Sequence, residues 1–110
     1  MKYRIEHYVT RQGRDPYINW LQSLRDRIAK ISVIRRVARI EQGNFGDHRY
    51  CRDSIWELRI DTGPGYRVYY TYTQQQEVLL LCAGSKHTQT KDITQAVFYL
   101  NDWQTRDLHA

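Results

Sequence analysis

The sequence predicts an α+β fold: an antiparallel β-sheet with an N-terminal helical pair packed on one face and a C-terminal helix. Three observations carry this. Several segments alternate apolar and polar residues with period two, Tyr17 to Ile40 repeats its apolar residues at helical spacing, and short turn-forming links join the later β-prone segments. The 110 residues suit a single domain spanning 1–110, and a composition of 41% hydrophobic and 26% charged residues is that of a folding globular chain.

Tyr3 to Thr10 places Tyr3, Ile5, His7 and Val9 on one side and Arg4, Glu6, Tyr8 and Thr10 on the other, which suits a half-buried first strand. After the turn Arg11-Gln12-Gly13-Arg14, Asp15 can cap a helix whose first turn accepts Pro16. Tyr17, Trp20, Leu21 and Leu24 then mark one apolar helical face, continued by Ile28, Ile31, Ile34, Val37, Ala38 and Ile40. Gly43-Asn44 ends the run, and a single helix of about 27 residues exceeds the usual length, so a break is expected near Leu24 to Arg27.

Gly43 to Asp53 reads as a turn-rich stretch. Three strands follow, Ser54–Ile60, Tyr66–Thr73 and the apolar Glu77–Ala83, joined by Asp61–Gly65 and Gln74–Gln76, links short enough for an antiparallel meander. Gly84 to Lys91 is a polar loop, and Asp92 with Gln95 three residues on resembles a capping box opening a last helix with Ile93, Ala96, Val97 and Leu100 inward. The tail 104–110 is expected to fray.

Net charge is +5, with residues 1–55 holding twelve Lys/Arg against six Asp/Glu and residues 56–110 five against six. A basic domain attracts phosphate polyanions or an acidic protein. Arg25, Arg27, Lys30, Arg35, Arg36 and Arg39 lie on the polar helical faces, as a solvated surface or as a nucleic-acid or ribosome contact. The longest apolar run, Val78 to Ala83, is far below the roughly 20 residues of a membrane-spanning helix, and the N-terminus has no apolar signal region, so a cytoplasmic protein is expected. Cys51 and Cys82 are expected to be reduced thiols.

Several chemistries are excluded by pattern. Gly63-Pro64-Gly65 lacks the third glycine of a dinucleotide loop and joins two strands; no serine elbow, zinc spacing or Ca²⁺ loop occurs, and the four histidines are scattered. No metal or cofactor is expected. What remains is a cationic surface of Arg59, Arg67, Lys86 and Lys91 with Tyr69, His87, Thr88 and Gln89. Metal-free RNA cleavage needs a base near the 2′-OH, an acid near the leaving oxygen and cations around the charged phosphorane. Arginine forks onto phosphate, lysine acts as a point charge, and tyrosine stacks on an unpaired base. Tyr66, Tyr70 and Tyr72 are read as strand formers, whereas Tyr69 shares a face with Arg67.

The motifs Gln42-Gly43-Asn44-Phe45-Gly46-Asp47, Ile55 to Ile60, Gly63 to Tyr70 and Gly84 to Ile93 resemble, in order and spacing, the HigB-like addiction-module killer proteins of the RelE/ParE toxin superfamily. The resemblance covers about residues 5 to 100. It implies the toxin of a type II toxin–antitoxin pair, a ribosome-dependent mRNA endonuclease, with a non-catalytic DNA gyrase poison or an inactive toxin retaining only antitoxin binding as alternatives. The partners implied are a small helix-turn-helix antitoxin, the ribosome and mRNA. Arg67 stands where such nucleases place a catalytic arginine, and Lys86 near their second. The family's later tyrosine is replaced here by Lys91-Asp92-Ile93, leaving His87 as the substitute proton carrier, since imidazole changes charge near neutrality. The expected site is therefore Arg67, Lys86, His87 and Gln89 for catalysis, and Arg59, Tyr69, Lys91, Arg35, Arg36 and Arg39 for RNA binding.

Overall fold

A computed structural model describes residues 2–108. Its strands are β1 (Arg4–His7), β2 (His48–Arg52), β3 (Ile55–Ile60), β4 (Tyr66–Gln74) and β5 (Glu77–Ser85); its α-helices are α1 (Pro16–Ser23), α2 (Arg27–Arg39) and α3 (Gln89–Leu108). The five strands form one sheet in the order β1-β5-β4-β3-β2. Tyr17 and Leu21 of α1 and Ala29, Val33 and Val37 of α2 pack on one face, against Leu58, Val68, Tyr70 and Leu80. Ala96 and Leu100 of α3 cover the other face, over Ile55, Tyr69, Leu79 and Leu81. Because β5 is buried on both faces, its uninterrupted apolar run is the sequence such a strand requires.

The helical pair forms as its caps dictate. The Asp15 carboxylate accepts from the Ile18 N–H with Pro16 in the first turn, and Asp26 accepts from Ile28 and Ala29, so the expected break falls between Ser23 and Arg27. A short 3₁₀ turn, Ile40–Gln42, closes the pair, with Gly43 in the left-handed conformation at φ 82°. The link β3–β4–β5 is the expected meander.

Four expectations are corrected. The sheet is mixed, because β1 runs parallel to β5, pairing Arg4 with Glu77 and Ile5 with Val78. Strand direction is not encoded in a strand's own alternation when its neighbour lies some seventy residues away. The stretch after Gly43 contains β2, an edge strand without an apolar face; it pairs with β3 through the two-residue turn Asp53-Ser54, both at positive φ (51° and 68°), the backbone of a type I′ hairpin. In α2 the buried residues are Ala29, Val33 and Val37, leaving Ile28, Ile31 and Ile34 exposed. The non-helical link Leu24–Asp26 resets the helical phase, so the stripe of α1 does not continue at the same spacing. Finally, α3 begins at Gln89 behind a 3₁₀ turn, Lys86–Thr88, with Asp92 inside its first turn.

Residues 104–108 continue α3, while His109 and Ala110 lie outside the described residues. The end of α3 is tied to the N-terminal strand region. Tyr8 Oη donates to Asp102 at 2.6 Å, Arg11 pairs with the same carboxylate, and Arg106 donates to the Val9 carbonyl and lies over the Tyr8 ring. Cys51 and Cys82 are free thiols, as expected. No helix among the described residues is long and apolar enough to cross a membrane.

Two measurements test this packing. At Gly84 an added Cβ would collide with the Asp92 carboxylate and lie 2.8 Å from Thr88 Oγ1. Gly84→Ala must therefore displace the first turn of α3, and equilibrium unfolding should show a loss of about 1–3 kcal/mol. The hydrogen bond from Tyr8, together with Arg11 and Arg106, holds the Asp102 carboxyl below the usual carboxylate range. A carboxyl depressed in the folded state stabilises above its unfolded value of about 4 and loses that contribution as pH falls through the lower native value. Thermal midpoints measured downward from about pH 6 should fall more steeply below about pH 4 in the wild type than in Asp102→Asn.

Candidate nucleic-acid site

Period-two alternation on β3 and β4 sends Glu57, Arg59, Arg67 and Tyr69 to the α3 face, and the register sets Arg59 opposite Arg67 and Glu57 opposite Tyr69. Helix α3 covers only part of this face. Its first residues come back over the meander because the Lys86 N–H donates to the Gly65 carbonyl at 2.9 Å, which fixes the start of the 3₁₀ turn beside the β3–β4 loop. Gly65 is correspondingly flanked by the Lys86 and Arg67 side chains.

Lys86, His87, Gln89 and Lys91 line one open groove of about 900 Å³ at the start of α3, with Thr94 and Phe98 on its wall. Lys86, His87 and Lys91 are exposed, and the helix N-terminus adds partial positive charge at the same end. A phosphate in this groove would meet two ammonium groups and an imidazole.

Beneath the groove lies a buried polar cluster. Glu57 is 0% exposed, and its carboxylate receives three contacts: Gln89 Nε2 donates at 2.8 Å, Cys51 Sγ at 3.2 Å, and Arg67 Nε lies 3.3 Å away. Arg67 is itself buried, and its Nη1 donates to the Tyr66 carbonyl at 3.0 Å. Thr88 Oγ1 donates to Asp92 at 2.5 Å, and burial pushes the Asp92 carboxyl upward. Burial and the hydrogen bond to Glu57 push the Cys51 thiol up to about 12, and burial pushes Cys82 up to about 12, so neither is a thiolate nucleophile at neutral pH.

The expected residues divide accordingly. Lys86, His87, Gln89 and Lys91 are brought together. Arg67 and Arg59 share their face, but Arg67 is held on Glu57 and Arg59 is paired with Asp47 at 3.2 Å. Tyr69 is corrected: its ring is wholly buried under α3, so no base can stack on it, and burial drives its hydroxyl pKa up. Arg36 is also corrected. Its guanidinium donates to the Arg59, Phe45 and Asp47 carbonyls, a structural clamp that runs so close to Gly46 that a Cβ there would meet Arg36 Nη2 at 2.9 Å. Arg35 and Arg39 stand on α2, on the opposite side of the sheet from the groove.

Two participants were not foreseen. Glu57 carried a signal, since an acid inside Ile55-Trp56-Glu57-Leu58 on the cations' side of a strand needs a partner; Phe98, 64% exposed, falls off the apolar side of α3, and period alone gave it no role.

Comparison with known proteins gives two findings. Residues 19–98, from α1 through the groove, match the family of phage-derived Gp49-like proteins (DUF891). An uncharacterized protein of Haemophilus influenzae is 49% identical over 78 residues, covering 71% of this chain and 79% of that relative. The chain therefore belongs to the Gp49-like family, a toxin-like family of toxin–antitoxin systems.

Proposed function

We propose that this chain is a HigB-like toxin of the RelE/ParE kind, which arrests growth in the cytoplasm by cutting mRNA on the ribosome and is neutralised by a small antitoxin. The observation that carries the reading is the gathering of Lys86, His87 and Lys91 in one groove at the start of α3. As a ribose 2′-oxygen attacks the adjacent phosphorus, its proton passes to the His87 imidazole; a cyclic phosphate forms and the expelled 5′-oxygen takes a proton from water. The two ammonium groups of the groove stabilise the phosphorane charge.

Arg67 acts one layer below. Through Glu57 it fixes Gln89 and hence the first turn of α3, so in this conformation it is a positioning residue rather than a phosphate ligand. Gln89, whose amide is committed to Glu57, has the same role.

Two substitutions separate these roles. Lys86→Ala leaves the buried cluster intact and should lower cleavage by about 10²-fold, with Lys86→Arg retaining most of it. Primer extension on transcripts after induction reads this: codon-positioned cuts that vanish in Lys86→Ala support the reading, whereas DNA damage with intact transcripts identifies a gyrase poison and overturns it. Arg67→Ala strands the buried Glu57 charge and should cost about 3–5 kcal/mol in equilibrium unfolding, while the double variant Arg67→Met with Glu57→Gln should recover much of that loss.

A further inference from the structure

The outward face of α2 is apolar where a solvent-facing helix should be polar. Ile28, Ile31 and Ile34 are 74%, 47% and 46% exposed, and Ala38 extends the stripe along the same side. Isolated exposed apolar residues need no explanation, but three isoleucines at i, i+3 and i+6 form a continuous ridge. The core of this helix is already complete through Ala29, Val33 and Val37, so the ridge contributes nothing to its own packing. A shallow groove of about 420 Å³ runs along one flank beside Ile28 and Ile31, and one of about 390 Å³ along the other between Ile34 and α1.

Charge selects the occupant. Helix α2 contains Arg27, Lys30, Arg35, Arg36 and Arg39 and no acidic residue. Arg36 is turned inward onto backbone carbonyls, while Arg27, Arg35 and Arg39 are exposed beside the isoleucines. A second copy of the chain would set like charges against each other across the ridge. A nucleic acid would satisfy the arginines but leave the isoleucines facing phosphate and water. An amphipathic helix with leucine-type side chains along one stripe and Asp or Glu beside it satisfies both features.

We infer that the outward face of α2 is a docking surface for an acidic amphipathic helix of a separate protein. In the toxin reading this is where the neutralising partner seats, but the docking itself does not depend on whether the groove cuts RNA.

The test uses the full chain and a fluorescein-labelled synthetic helix of about 20 residues, with leucines at i, i+3, i+4 and i+7 spacing flanked by glutamates. Its control is a permuted peptide of identical composition without the stripe. Anisotropy titration should show the striped peptide binding at least about tenfold more tightly than the control. Ile31→Ser with Ile34→Ser, and separately Arg35→Glu with Arg39→Glu, should each weaken binding by about tenfold or more, with thermal midpoints unchanged. Lys86→Ala should bind as the wild type does. Equal affinity for both peptides, binding indifferent to the α2 variants, or binding lost in Lys86→Ala would overturn the inference. So would a concentration-dependent dimer of the free chain that Ile31→Ser abolishes, since that makes a second copy the occupant. Binding is the sole readout, so a chain that fails to cleave RNA can still pass, and one that cleaves RNA can still fail.

Discussion

The carboxylate of Glu57 is the constraint around which the α3 face is arranged. A charge without solvent access carries a desolvation penalty of several kcal/mol, so it persists only where donors surround it. Here the support comes from three elements: Cys51 from β2 and Gln89 from the first turn of α3 donate hydrogen bonds, and Arg67 from β4 supplies the opposite charge at 3.3 Å. The one carboxylate thereby fixes the sheet edge to the helix start. The groove above inherits that rigidity, because Lys86 and His87 sit on the 3₁₀ turn held between Gly65 and Gln89. Arg67 neutralises the carboxylate, so the positive field of the groove comes from Lys86, Lys91 and the helix terminus rather than from the guanidinium below.

Helix α3 is pinned at both ends by different chemistry. At its start, Thr88 meets Asp92 and Gln89 meets Glu57; at its far end, Asp102 collects Tyr8, Arg11 and Arg106. Between them Ala96 and Leu100 settle on Leu79, Leu81 and Tyr69. This explains why Tyr69 cannot be a stacking platform: the packing that holds the helix in place needs that ring as floor. Tyr8, which follows β1 directly, reaches the Asp102 carboxylate of α3 from the edge of the sheet where β1 lies beside β5.

Much of this was legible in the sequence where local physics decides. The Asp15 cap, the break between Leu24 and Arg27, the left-handed Gly43 and the β3–β4–β5 meander all follow from residue type and spacing. The convergence of residues 86–91 was legible too, since they are near neighbours in the chain. What was not legible depends on distant partners. The direction of β1 is set by a strand some seventy residues away, and β2 has no apolar face to announce it. Nothing in the helical periodicity of α2 distinguishes a buried Val33 from an exposed Ile34 once the preceding link has reset the phase. Among the cations, Arg35 and Arg36 are adjacent and identical, yet one is exposed and the other is consumed by three carbonyls.

The net charge of +5 therefore describes two surfaces rather than one footprint. The cations beside α3 and those on α2 are separated by the sheet and a helix layer on each side, in a molecule whose shortest dimension is 24 Å. The two sets nonetheless share one end of the sheet, where Ser32 of α2 meets Thr62 of the β3–β4 loop at 2.9 Å and Gly65 of that loop accepts from the Lys86 N–H. A partner seated on α2 would silence the groove by extending around that end of the sheet to fill it, or by displacing the first turn of α3.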